Sequence, residues 1–168
     1  GDPGPGGFYD DLGNMSKEPH LVQYGASPPD PPGGIYILNN FLWHQGNTTA
    51  LKLGGGRLAW QDQAIMIFGQ PLHLQYAGLA NDVDYTVRAT YISHGDPTMA
   101  LLANGTQLGV SATPPAPTFQ VSYPIPRSIT NGGTLDLTWN VLSGSGNQVA
   151  EVWLIAATYV ATDINHDR

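Results

Sequence analysis

The chain has 168 residues, with 21 Gly, 14 Pro, no cysteine and only 11% charged side chains, against roughly 25% in an average soluble domain. This length implies one domain that buries a sizeable core without disulfides, and so few charges leave little material for long amphipathic surface helices. Thirteen acids against six Lys and Arg give a net charge of −7, which argues against nucleic acid or an anionic membrane as partner, and no apolar run approaches the roughly 20 residues of a membrane-spanning helix.

The absence of cysteine excludes thiol catalysis and thiolate metal sites. The first residue is Gly rather than Met, which reads as a mature or excised segment. Surface polarity carried by Asn, Gln, Thr and Ser adds to the expectation of a secreted, extracellular protein.

Residues 1–34 hold seven Pro and eight Gly and end in Ser27-Pro28-Pro29-Asp30-Pro31-Pro32-Gly33-Gly34, a composition that resists both helix and central strand. Phe8, Tyr9, Leu12, Leu21 and Val22 are apolar side chains that a disordered tail would lack, so this extended leader is expected to pack on the domain. From Ile35 the pattern changes to short β-type runs at 35–43, 48–53, 64–68, 71–76, 84–93, 99–103, 107–111, 117–123, 134–142 and 148–160. Tyr85, Val87, Ala89 and Tyr91 alternate with Thr86, Arg88 and Thr90, as Leu135, Leu137, Trp139 and Val141 alternate with Asp136, Thr138 and Asn140, giving each strand one dry and one wet face.

The run 149–160 is apolar on both faces and reads as a doubly buried strand. Asn104-Gly105, Asn131-Gly132-Gly133 and Gly144-Ser145-Gly146-Asn147 supply the left-handed backbone positions that hairpins need. Together these features predict an all-β fold, an antiparallel β-sandwich of jelly-roll type over residues 35–160, with Trp139 and Trp153 in its core. Residues 161–168 form a polar C-terminal stub or linker.

Chemistry-bearing residues are sparse. Serine-elbow, zincin, P-loop and dinucleotide fingerprints are absent, and the five histidines show no metal-ligand spacing, so no catalytic residue is assigned and the chain is expected not to be an enzyme. Asp163, Asn165 and Asp167 match positions 1, 3 and 5 of a calcium loop, but Arg168 stands where the turn glycine belongs. Asp10-Asp11 could form a second cation site with Asp30 or Glu151, or simply cap a turn. Glu151 interrupts an apolar strand, so its carboxylate needs an ion pair with Arg88 or Arg57, a structural calcium, or the solvent edge.

Three loops set an aromatic ring beside amide, imidazole or carboxylate groups: Trp43-His44-Gln45, Trp60-Gln61-Asp62 and Tyr91 through Asp96. Flat apolar faces next to paired hydrogen-bonding groups suit the C–H face and hydroxyl edge of a sugar. Trp43, His44, Trp60, Gln61, Asp62, Tyr91 and Asp96 are therefore the candidate carbohydrate-binding residues, with core packing of Trp43 and Trp60 the open alternative.

The elements Gly6-Gly7-Phe8-Tyr9-Asp10-Asp11-Leu12-Gly13-Asn14, Tyr85 through Tyr91, Leu102-Ala103-Asn104-Gly105 and Ala150-Glu151-Val152-Trp153-Leu154-Ile155 resemble galactose-binding-like and malectin-like β-sandwich accessory domains of secreted, polysaccharide-active bacterial proteins of planctomycete type. The stub 161–168 resembles the opening of a dockerin-type calcium repeat. The resemblance implies a non-catalytic module that binds a polysaccharide or other glycan, with a structural calcium. A different class also fits: a self-assembling fibre or surface-layer subunit whose extended N-terminal segment adds a strand to a neighbour.

Overall fold

In the computed structural model the described residues are 1–12, 20–22, 36–39, 43–44, 62–66, 71–92, 97–112, 118–144 and 146–157. The strands are β1 (Phe8–Asp11), β2 (Tyr36–Asn39), β3 (Trp43–His44), β4 (Asp62–Met66), β5 (Leu72–Tyr76), β6 (Asp84–Ile92), β7 (Thr98–Ala103), β8 (Thr106–Ala112), β9 (Thr118–Ile125), β10 (Leu135–Ser143), β11 (Asn147–Val149) and β12 (Glu151–Ala157). A single helical turn, α1 (Arg127–Thr130), joins β9 to β10.

All described pairings are antiparallel. They form three four-stranded ladders ordered β1-β12-β6-β9, β5-β10-β7-β8 and β11-β4-β2-β3. The chain passes repeatedly between the first two ladders, the crossover habit of a jelly roll, and one hydrophobic cluster fills the space between them. The alternation predicted from sequence supplies that cluster: Val87, Ala89 and Tyr91 of β6 and Val152 and Leu154 of β12 meet Leu72 and Leu74 of β5, Leu135, Leu137 and Trp139 of β10, and Met99 and Leu101 of β7. The protein is an antiparallel β-sandwich.

The core also holds a chain of hydroxyls. Trp139 Nε1 donates to the Tyr91 hydroxyl at 2.8 Å, which meets the Tyr123 hydroxyl at 2.9 Å, and Tyr123 in turn meets Ser111 Oγ. Each polar group is satisfied, so the network ties the two sheets together without an uncompensated buried dipole.

Several boundaries differ from the sequence reading for identifiable reasons. Phe8–Asp11, inside the Pro/Gly-rich leader, is a strand that pairs with β12 of the same chain, and Leu12 behind it is fully buried. The run 148–160 divides at Ala150, whose N–H donates to Thr90 and whose carbonyl accepts from Leu12; there the backbone leaves β4 as partner and joins β6. Trp139 is in the core cluster as expected. Trp153 is buried too, at 5% exposure, but on the opposite face of β12, under the Tyr9 ring at 5.1 Å and the Arg88 guanidinium at 4.5 Å. The expected strand at 48–53 lies outside the described residues.

Candidate functional site

The third ladder gathers part of the predicted sugar-binding set. Trp43 and His44 are β3, the edge strand, in register with Leu38 and Ile37 of β2. Asp62 opens β4 opposite Asn39 at the other side of β2. Trp43 and Asp62 therefore flank the Leu38–Asn39 end of β2, and His44 stands one residue further along β3. Trp60, Gln61 and Asp96 lie outside the described residues.

Tyr91 is a correction. It is 1% exposed, faces inward from β6, and spends its hydroxyl on Tyr123 and Trp139. Period-2 alternation puts it on the dry side of its strand, so the ring has no face open to a ligand. Burial, reinforced by the neighbouring Tyr123 hydroxyl, raises its pKa well above that of free tyrosine, although the hydrogen bonds from Trp139 and Ser111 lower it in part.

The expected Asp10-Asp11 cation pair is also corrected. Consecutive strand residues project to opposite faces, and the two carboxylates part accordingly. Asp10, 0% exposed, accepts from His20 Nδ1 at 2.9 Å on both oxygens, from the His20 backbone N–H at 3.3 Å and from the Tyr76 hydroxyl at 2.8 Å. Asp11 is instead in register with Glu151 on β12. Glu151 accepts from the Tyr9 hydroxyl at 2.6 Å. Arg88, anticipated as its ion-pair partner, lies over the Trp153 ring, and Arg57 lies outside the described residues. Among the described residues no group of three or more His, Cys, Asp or Glu is placed to hold a metal ion. Asp30, Asp163, Asn165 and Asp167 lie outside them.

Sequence reasoning missed what Asp10 does. His20 is ten residues away and Tyr76 sixty-six, separations that no local motif signals. Around this carboxylate the His20 ring stacks on Tyr76 at 4.5 Å with an interplanar angle of 26°, and Phe8 meets its edge at 5.2 Å and 80°. The segment 20–22 is laid along β5: Val22 N donates to His73 O and Gln75 N to His20 O, both at 2.9 Å, around a Leu21–Leu74 bridge.

Beside this junction opens a cleft of about 580 Å³ lined by His20, Gln75, Tyr76, Ala77, Thr134 and Asp136. The Tyr76 pKa is pushed well above that of free tyrosine, first by burial and then by the Asp10 carboxylate, through its charge and its hydrogen bond.

No protein-family model and no curated protein sequence matches the chain. Among solved structures it is similar to the ANX2 ectodomain from Arabidopsis thaliana, at 8% identity and a TM-score of 0.55 over 90% of this chain and 50% of that one. It is also similar to Bacteroides uniformis β-glucuronidase 2, at 11% identity and 0.53 over 90% and 18%. A family 35 carbohydrate-binding module from Clostridium thermocellum is met at 12% identity and 0.42, over 73% and 91%. The chain spans half of the first protein and under a fifth of the second. At such identities the first two likenesses show the sandwich fold alone.

Proposed function

We propose that the chain is a secreted, non-catalytic, galactose-binding-like β-sandwich module that binds a neutral or weakly polar polysaccharide. The observation that carries this reading is the register of the third ladder, in which Trp43 on β3 and Asp62 on β4 flank the Leu38–Asn39 end of β2, with His44 next to Trp43. On this reading Trp43 and Trp60 offer stacking faces, while His44, Gln61, Asp62 and Asp96 meet hydroxyls. The net charge of −7 disfavours strongly anionic glycans, so galactans and mannans are the first trials. Affinities in the millimolar to micromolar range, roughly −4 to −8 kcal/mol, are expected. On a glycan array the wild type should bind such chains, and Trp43→Ala or Trp60→Ala should weaken binding with the melting curve unchanged. An array without signal overturns the proposal.

A structural calcium belongs to the same reading. Asp11 and Glu151 are cross-strand neighbours, exposed by only 4% and 6%, which sets two carboxylates of the expected cation set side by side. A cation bound only by the native state raises the melting temperature. Melting in excess calcium should therefore exceed melting in chelator, and superimposed curves remove calcium from the proposal.

A further inference from the structure

The cleft beside the N-terminal segment combines features that anchoring a chain end does not require. Asp10 is wholly buried and meets four donor contacts, three of them from His20. Because a carboxylate only accepts, the imidazole hydrogen resides on Nδ1, and in the neutral ring Nε2 is left as an acceptor. Nε2 has no partner among the described residues. The ring is held between its neighbours, stacked on Tyr76 and T-shaped to Phe8. Its side chain keeps 22% exposure and lines the cleft. A buried carboxylate that fixes the tautomer and orientation of a partly exposed histidine is how proteins pre-set a binding group.

The other wall is also held in place. Asp136, with a side chain 53% exposed, is approached by His73 Nε2 at 3.3 Å. Its backbone is clamped by Asn104, whose Oδ1 accepts from Asp136 N at 2.7 Å and whose N–H donates to Asp136 O at 2.9 Å. Gln75 and Thr134 add an amide and a hydroxyl, and Tyr76 and Ala77 supply apolar surface. The volume, about 580 Å³, lies within the roughly 300–1,000 Å³ of small-ligand sites. The lining contains no Lys or Arg and is rich in acceptors, so it repels carboxylates and phosphates and suits a ligand that brings several donors. Hydroxyl groups on one ring match that demand.

We propose that this cleft binds one neutral polyhydroxylated ring, a saccharide unit, with His20 Nε2 and Asp136 accepting hydroxyl hydrogens and Gln75 donating its amide. The inference rests on the carbohydrate reading above and adds a site separate from the third ladder.

The test is an amide-resolved NMR titration of the full chain with methyl α-mannopyranoside, methyl β-galactopyranoside, and mannan- and galactan-derived oligosaccharides. Saturable shifts are expected at the amides of His20, Gln75, Ala77 and Asp136. They should persist in Trp43→Ala and weaken at least tenfold in Asp136→Ala, which alters an exposed side chain and should otherwise change the spectrum only around His73. Thr134→Val is a second variant that should also weaken them. Shifts found only away from the cleft, or undiminished in both cleft variants, overturn this inference and leave the carbohydrate reading standing. If no sugar in the titration or on the array binds, the carbohydrate reading falls and the cleft assignment falls with it.

Discussion

A phenol shut away from water and hydrogen-bonded to a carboxylate has every reason to keep its proton, and Tyr76 is in that position against Asp10. Tyr91 reaches the same state mainly through burial, inside the hydroxyl chain that crosses the core. Both pKa values are raised in the fold, so above about pH 10, where free tyrosine ionises, the unfolded chain releases protons that the native chain retains. The contribution to stability is complete below about pH 10 and is lost as pH rises further. Melting temperatures should be level through neutral and mildly alkaline pH and then fall, with the last tyrosinate absorbance appearing together with unfolding. A smooth titration of all eight tyrosines in a chain that remains folded would contradict this assignment.

At the scale of elements, strands were legible where one face is dry and the other wet. β6 and β10 announced themselves by alternation, and their inward residues from Tyr85 to Tyr91 and from Leu135 to Trp139 are buried, although Thr90 on the other face of β6 is buried as well. β1 was obscured because its flanking glycines and prolines dominate the composition, and one of its two inward residues is not apolar at all: Asp10 shares the core-facing side with Phe8. The candidate site was less legible than the fold. A sugar-binding reading of Tyr91 took the chemistry of a ring without its strand position, while the Asp10, His20 and Tyr76 cluster depends on contacts between distant segments.

The β7–β8 hairpin was readable from Asn104-Gly105, and both residues do have positive φ, 46° and 84°. Hidden from the sequence was the second task of Asn104, whose Nδ2 donates to Ile129 O at 2.9 Å and Thr134 O at 3.2 Å. That binds the hairpin to the turn between α1 and β10 and occupies the Asn104 carboxamide. Asn104→Ala loses these bonds and puts a Cβ-bearing residue without local compensation in the left-handed region, a combined cost of about 2 kcal/mol. Denaturant unfolding should show it; a change below about 0.5 kcal/mol would mean the bonds are replaced by water at no cost.

At the scale of the whole molecule, residues 1–12 and 20–22 contact both sheets. β1 extends the β12-β6-β9 ladder through four residue pairs, and residues 20–22 lie along β5, the edge of the opposite sheet. Asp10 links the two attachments, because its carboxylate reaches from β1 both to His20 and to the Tyr76 ring on β5. Leu12 follows directly and is fully buried in the shared core. A segment that contributes to the core, to one ladder and to a buried charge cluster should unfold with the rest of the chain. Deleting residues 1–12 removes the Asp10 carboxylate, leaves Tyr76 without its acceptor, opens the β12 edge and empties the Leu12 site. Loss of the leucine alone is on the scale of about 2–5 kcal/mol, and at roughly 2–4 °C per kcal/mol for a chain of this size that loss alone should lower the melting temperature by about 4–20 °C. Hydrogen exchange on the intact chain supplies the independent check: amides of β1 should be protected as strongly as those of β12, and fast exchange in β1 beside slow exchange in β12 would show the N-terminal segment to be a separable attachment.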